Sequence, residues 1–385
     1  MKPRIRLRGF LLQDAFSARS LARTQRRHAT GFSSSPQPPQ ASPVSRRWLR
    51  LTLVTVTAAG IGAYIKWMQD VKTASTTLNP GRFTPYQLVS REPVSSTGSL
   101  FTIKPPKSDG SNLEVYEDAW NTGVWSVMFK QPQLQIGRDY TPLPPTSANE
   151  DDECLRFFIR KDPFGEVSRY LHSLKIGAHI EVRGPRIECE IPPDTDRILF
   201  IAGGTGIAPA LQAGHTLLRR TDHIRKPTIH ILWANRQRQD CAGGYNETTD
   251  TTAETRMSWI SGLLGSSKSV TRPAPAEVAD TVEPSLIVRE IEALKAQYPE
   301  QVTVQYFVDE ESSFIGTKTI LDCTKTAVPS SPDKSKRNLI FVSGPEGFIS
   351  YMAGPKLWAQ GMELQGPLQG IIKELDLQDW AVWKL

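Results

Sequence analysis

"ILFIAGGTGIAPALQAGHTLLRR", residues 198–220, decides the fold. An apolar run leads into Gly203, Gly204 and Gly206. Ile207, Ala210, Leu211, Gly214, Leu217 and Leu218 then recur at helical spacing. This is a strand, a tight turn and a helix whose apolar stripe can lie on a sheet. The dinucleotide pattern G-x-G-x-x-G fits at Gly204 and Gly206 but fails at its third glycine, where Pro209 stands. Proline suits a first helical turn, where a missing N–H costs little. The loop therefore keeps the anion-binding logic of a helix N-terminus without the third-glycine packing.

Downstream, strands and helices alternate. "TIHILWAN", "VTVQYFV" and "NLIFVSG" read as strands. "LIVREIEALKAQ" and the stretch around "FISYMAGPKLWAQG" read as helices. That alternation predicts a doubly wound parallel α/β layer over residues 194–385. A Ser/Thr/Ala/Pro-rich insert at 242–284 breaks into it and reads as surface loop or disorder.

Upstream, residues 81–193 change character. "YQLVS", "LFTIK", "VWSVMFK", "LRFFIRK" and "HIEVRGPR" are short strand-like runs at the spacing of a small all-β barrel. One helical stretch, "GEVSRYLHSLKIG", interrupts them, with Val167, Tyr170, Leu171 and Leu174 on one face and Gly177 as a stop. At 385 residues the chain has room for two such domains and for appendages.

The net charge of +6 suggests nucleic acid until its distribution is read. Residues 1–47 hold ten Lys/Arg and one acid, so the remainder is net −3. An arm rich in Arg and Ser and poor in acids reads as a mitochondrial transit peptide, the alternative being a disordered basic tail. In residues 48–68, the stretch 51–65 carries no charge, and Trp48, Tyr64 and Trp67 sit where an interfacial aromatic belt would lie. This predicts a single transmembrane helix, with a buried core helix as the alternative. Arg46, Arg47 and Arg50 outweigh Lys66 and Lys72, which places the N-terminal side in the matrix and the large domains in the intermembrane space. Residues 69–80 form a polar linker. Cys154, Cys189, Cys241 and Cys323 show no metal or haem spacing.

Four stretches carry the chemistry. In "GRDYTPLPP", Arg138 can fork onto a phosphate and Tyr140, on the same side of a strand, can stack a flat ring, which suits a flavin nucleotide. Thr141 faces the other way. In "PFGEVSRYL", Gly165 permits close approach, and Ser168 and the first helical turn face an anion site. The glycine turn is the third. In "FVSGPEGF", a strand ends in Ser343, Gly344 and Pro345 at the carboxyl edge of the sheet, where ligands sit in open α/β folds. Each has a plainer reading as an ordinary strand end or turn.

In this order, on a barrel followed by an α/β domain, these stretches resemble the ferredoxin–NADP reductase superfamily, and within it the NADH–cytochrome b5 reductase branch. The resemblance covers residues 83–385 apart from the insert, and "RGPR" at 183–186 is similar to the family's barrel-closing turn. It implies an all-β FAD-binding barrel, an NAD(P)-binding domain and hydride transfer from NADH or NADPH to FAD. By this resemblance Arg138 holds the FAD pyrophosphate, Tyr140 stacks on the isoalloxazine and Thr141 lies near its N5. Gly165, Val167 and Ser168 bind the pyrophosphate. Gly203, Gly204, Thr205 and Gly206 receive the nicotinamide cofactor, with Gly344 and Pro345 beside it. Asp240 falls where an acid disfavours a 2′-phosphate, although Arg236 and Arg238 beside it can attract one.

Three departures stand out: Ser343 replaces the family's cysteine, Glu166 sits beside the phosphate site, and the chain ends "WAVWKL" where the family ends in an aromatic. Trp383 is the candidate to cover the flavin ring, with Lys384 and Leu385 directed elsewhere. The transit peptide, the single span and these departures resemble the fungal inner-membrane flavoproteins of cytochrome c maturation, which implies haem, cytochrome c and haem lyase as partners. The alternatives are a general NADH–cytochrome b5 reductase and an assembly factor whose flavin is structural. No metal and no side-chain general base is called for.

Overall fold

The computed structural model describes residues 76–146, 153–220, 226–246, 283–325, 338–359 and 361–385. The transit peptide and the span expected at 48–68 lie outside these. Among the described residues no helix is long and apolar enough to cross a membrane.

The first layer is a seven-stranded antiparallel sheet: β1 (Thr84–Pro93), β2 (Gly98–Lys104), β3 (Gly123–Gln131), β4 (Ile136–Tyr140), β5 (Pro142–Leu143), β6 (Leu155–Arg160) and β7 (His179–Glu190). Their spatial order is β4-β3-β7-β1-β2-β6-β5. The two edge strands are consecutive in the chain and joined by Thr141 alone, so the sheet must curl until its edges meet. Period-two burial fills the interior: Phe101 and Ile103 from β2, Trp125, Val127 and Phe129 from β3, and Leu155, Phe157 and Ile159 from β6.

Two helices accompany the barrel, where the sequence pattern predicts one. Helix α1 (Leu113–Thr122) adds Tyr116, Ala119 and Trp120 to the core. Its stretch, "LEVYEDAWNT", is acidic and has a mean polarity that hides the three-residue apolar stripe. Helix α2 (Glu166–Ser173) matches the expected one, with Val167 and Leu171 buried.

The second layer is a five-stranded parallel sheet of β8 (Arg197–Gly203), β9 (Thr228–Asn235), β10 (Val302–Val308), β11 (Asn338–Ser343) and a terminal β14 (Trp380–Lys384). The order is β10-β9-β8-β11-β14. The crossovers include α3 (Ile207–Leu218), α4 (Leu286–Gln297) and α5 (Thr317–Lys325), the last required because β10 and β11 are parallel. After β11 comes α6 (Glu346–Ala353). It stops at Gly354, whose φ is +85°, so the helix expected to run on through "PKLWAQG" is cut short. That stretch instead forms an antiparallel hairpin, β12 (Leu357–Ala359) and β13 (Met362–Leu364), followed by the short α7 (Gly370–Glu374).

The ends of the 242–284 insert are packed and not loose. Ser285 N donates to Ala242 O, and Asn246 exchanges two hydrogen bonds with the Tyr306 backbone at 2.9 and 2.7 Å. Residues 247–282 lie outside the described part.

Helix α3 joins the layers. Beyond the predicted stripe, it buries Gln212 completely and Thr216 nearly so against the barrel. Gln212 accepts from Trp125 N at 2.9 Å and donates to Pro142 O at 2.8 Å, while Thr216 donates to Trp120 O at 2.8 Å. Arg156 of β6 forks onto Glu290 of α4. One apolar core therefore runs from Leu100, Val124 and Phe158 of the barrel into Ile207 and Leu211. All four cysteines are free.

Candidate functional site

The glycine turn is shaped first by backbone packing. Gly204 takes a φ of +55° and its carbonyl accepts from Trp233 Nε1 at 2.8 Å. A Cβ on Gly206 would stand 2.4 Å from Ser343 O, and one on Gly203 would stand 2.9 Å from the Phe348 ring. The β8–α3 and β11–α6 turns thus touch backbone to backbone, and only glycine allows that approach. Gly344 lies against Gly203 in the same contact.

Two cavities open around this contact. The larger, about 530 Å³, lies at the carboxyl ends of the parallel strands and is lined by Gly203, Gly204, Asn235, Arg236, Asp309 and Pro345, with Arg160 reaching in from the barrel. Asn235 is buried and its Nδ2 has no partner among the described residues. A buried amide left unpaired is costly unless a ligand or water meets it. Arg160, at the end of β6, stands 3.9 Å from a Cβ built on Gly204 and makes no ion pair among the described residues. A guanidinium, an open glycine backbone and an orphaned amide are the donors a dinucleotide's phosphates and amide need.

The smaller cavity, about 270 Å³, lies between barrel and α/β layer. Tyr140, Thr141 and Ser126 face Thr205, Gly206 and Ser343 across it. Tyr140 is braced edge-on by Phe129 at 5.2 Å, and burial raises its hydroxyl pKa well above the ordinary value. It therefore stays neutral and offers a flat ring. Around the rim, Arg186 bonds Asp139 at 3.1 Å and Ser126 donates to Glu188 at 2.6 Å. Burial raises the Asp139 carboxyl above its ordinary value, with Arg186 opposing that shift. Lys356 pairs with Glu363 at 3.2 Å.

Tyr140, Thr141, Gly206, Ser343 and Gly344 are thus gathered into one cavity, with Thr205 beside them. Gly203, Gly204 and Pro345 line the other. Arg138 lies exposed on β4, and among the described residues it donates only to Gly137 O, at 3.2 Å. Gly165 caps α2, whose opening turn has no side-chain cap. Ser168 is buried and bonds within this turn, donating to Gly165 O and accepting from Asp162 N, both at 3.2 Å. The Val167 side chain points into the barrel core, which leaves only its backbone for a ligand.

Other residues sit apart from both cavities. Asp240 is buried in a short turn and lines neither. Arg238 forks onto Glu311 and donates to Gly244 O at 2.7 Å, so it is not free to attract a 2′-phosphate. Trp383 lines a neighbouring cavity with Ile187 and Leu364, and Leu385 is the C-terminal residue that reaches the cleft. This reverses the expected direction of the last residues. Trp383 and Leu385 are two apart and share a strand face; they differ in height along the sheet, Trp383 pairing with Phe341 while Leu385 N donates to Val342 O at 2.9 Å. Arg160, Asn235, Ser126 and Glu188 were not singled out from sequence. Asn235 was findable, since it ends a parallel strand next to β8. Arg160 reads only as the polar partner of an alternating strand.

Residues 86–191 match the oxidoreductase FAD-binding domain family, and residues 200–259 match the oxidoreductase NAD-binding domain family. An uncharacterized FAD-binding protein of Schizosaccharomyces pombe is 27% identical over 86% of this chain and 97% of that protein. NADH-cytochrome b5 reductase 2-A of Vanderwaltozyma polyspora is 25% identical, over 76% and 80% respectively. The cytochrome c mitochondrial import factor of Saccharomyces cerevisiae is 30% identical over 40% of this chain, a match spanning 45% of that protein. Among solved structures, the cytochrome b5 reductase domain of Ulva prolifera nitrate reductase covers 72% of this chain and 92% of its own, with 20% identity and a TM-score of 0.46. The chain is therefore an FAD- and NAD(P)H-dependent oxidoreductase of the cytochrome b5 reductase type.

Proposed function

We propose that this oxidoreductase passes electrons from NAD(P)H through FAD to haem during cytochrome c maturation in mitochondria. The observation that carries the redox reading is the single cavity in which Tyr140 and Thr141 of the barrel face Gly206 and Ser343 of the α/β layer. The cytochrome c reading is supported by the local likeness to the yeast import factor and by the basic arm and apolar stretch that precede the barrel. In this reading residues 1–47 target the chain, residues 48–68 tether it to the inner membrane, and the domains at 81–193 and 194–385 stand in the intermembrane space. Haem lyase and cytochrome c are its partners there.

FAD, when bound, accepts a hydride from the nicotinamide and releases electrons singly, which suits a haem iron. The residues position and shield. Tyr140 presents its ring as a stacking platform, and Thr141 offers a hydroxyl at the junction of the barrel edges. Arg138 and the uncapped turn Gly165–Ser168 supply charge and free N–H groups for the FAD pyrophosphate. Gly203, Gly204, Thr205 and Gly206, with Arg160 and Asn235, hold the NAD(P)H phosphates and amide. Ser343, Gly344 and Leu385 close the cleft against water.

The test is anaerobic addition of NADH or NADPH to the purified yellow protein. Bleaching of the flavin bands followed by reoxidation with haem supports the proposal. Fast turnover with cytochrome b5 and none with haem would replace it with the general reductase activity that the Vanderwaltozyma relative's name states. A flavin that never bleaches would leave an assembly factor with a structural FAD.

A further inference from the structure

The cleft between barrel and α/β layer continues into a third cavity. This space of about 260 Å³ lies between β7 of the barrel and the end of the β12–β13 hairpin. Arg186, Glu188, Lys356 and Glu363 line both spaces, so each opens into the other. The larger cavity, proposed for NAD(P)H, shares no lining residue with the third one among the described residues. A molecule in the third cavity therefore adjoins the flavin cleft without taking the nucleotide's place.

Its walls are apolar and bare. Ile187 of β7, Leu364 of β13 and Trp383 of β14 are 39, 46 and 37% exposed. Three large apolar side chains from three separate elements thus face one gap beside the redox cleft. The volume is below the roughly 300 Å³ that encloses a whole drug-sized ligand, so the gap receives one edge of a flat molecule. An indole in the wall favours an aromatic ring. Charge decides which edge enters. Arg186 is held by Asp139 at 3.1 Å and by Glu188 at 3.6 Å, and Lys356 is held by Glu363 at 3.2 Å. Lys384 turns its ammonium to the Pro355 and Pro367 carbonyls. A carboxylate entering here would meet three others whose cations are already engaged, whereas an uncharged edge would not. Among the described residues no His, Cys or Met lines the cavity, so a haem iron meets none of its customary axial ligands and the haem stays exchangeable.

We infer that this cavity is the electron-acceptor site, taking the apolar, vinyl-bearing edge of ferric haem between Ile187 and Leu364, with Trp383 against the ring and the propionates left in water. This rests on haem being the acceptor. Two ferric haems in turn each take one electron from the reduced flavin and become ferrous. The flavin, having gained a hydride, returns to its oxidised form and releases one proton. Each electron crosses only the boundary that the two spaces share.

The test uses the full-length holoprotein and two ferric porphyrins. One is protoporphyrin; the other is a deuteroporphyrin disulfonate, which carries two charges on the otherwise apolar edge. Binding is read from the shift of the Soret band, apart from turnover. The first porphyrin should bind about tenfold more tightly than the second, and about tenfold more weakly to Ile187→Glu and to Leu364→Glu than to the parent. NAD⁺ should not displace it. Retained flavin absorbance and unchanged bleaching by NADH or NADPH report that a variant is folded; the two substitutions lie on different elements, so either one suffices. Parent-like affinity in a folded variant overturns the site, and reoxidation of flavin by haem in the same sample leaves the haem reading standing. Equal affinity for both porphyrins overturns it, because the charged edge would then be outside. Displacement by NAD⁺ overturns it in favour of the nucleotide cavity. Haem that neither binds nor reoxidises the flavin overturns the site and the haem reading together.

Discussion

The two faces of the cleft are held in place by different means. On the α/β face, every glycine of the turn is demanded by its packing or its backbone angle: Gly206 by the Ser343 carbonyl, Gly203 by the Phe348 ring, and Gly204 by a positive φ with its carbonyl held by the Trp233 indole. On the barrel face, among the described residues, Arg138 bonds only to the neighbouring Gly137 carbonyl, and Ser168 bonds only within its turn. One face is fixed by packing, and the other presents an exposed guanidinium and a locally bonded turn. A motif shared by both roles is therefore not evidence for both, and mutation separates them.

The largest effect is expected at Gly206→Ala. Its methyl meets a carbonyl oxygen at 2.4 Å, so two strand–helix turns must part, at a cost of about 3 kcal/mol read as a shift of the denaturation midpoint. Gly347→Ala is the control, since an added Cβ there meets nothing within 4 Å. If both variants unfold alike, the close-approach account fails.

Next is Gln212→Leu, which leaves Trp125 N–H and Pro142 C=O unpaired beneath α3. A loss of roughly 2–3 kcal/mol is expected. A variant as stable as the parent would show that the layers do not depend on this clasp.

Arg138→Ala sharpens the contrast from the other side. Stability of the apoprotein should stay within about 0.5 kcal/mol, while FAD affinity falls by about 1.5–3 kcal/mol through loss of a charge-assisted phosphate contact. Titrating FAD into apoprotein measures both. Unchanged affinity would remove Arg138 from the flavin site.

The smallest effect is a pH dependence at the join. His215 of α3 is half-buried against Trp120, and this desolvation, with Arg219 beside it, lowers its pKa from 6.5 to about 4. The fold prefers the neutral ring, so this contribution is complete above pH 6.5 and is lost as pH falls toward 4. The part of the swing reached by pH 5 is on the order of 2 kcal/mol. His215→Gln should flatten that part of the stability–pH curve, and an unchanged slope would assign it to other groups.

Much of this was legible before the structure. Alternation located the core strands of the barrel, as at Trp125–Phe129 and Leu155–Ile159, because one face of each is buried and the period is strict. The glycine turn, the Arg138–Tyr140 strand end and Ser343–Pro345 were found because each breaks a periodic run. Helix α1 was missed because its apolar side is only three residues wide. The helix after β11 was drawn too long because nothing in "GPKLWAQG" marks a hairpin except Gly354 and Pro355. Trp383 and Leu385 share a strand phase, so only the height of the last strand against β11 decides that Leu385 and not Trp383 lines the cleft.

Sequence alone determined the barrel followed by the α/β layer, and the residue types able to hold a flavin and a nicotinamide, because periodicity and turn chemistry are local properties of the chain. Only the tertiary structure decided which of those residues meet. Arg160 beside Gly204, Gln212 under the barrel edge and Arg238 consumed by Glu311 are contacts between segments dozens of residues apart. Such contacts depend on strand order and side-chain phase, and no local pattern encodes either.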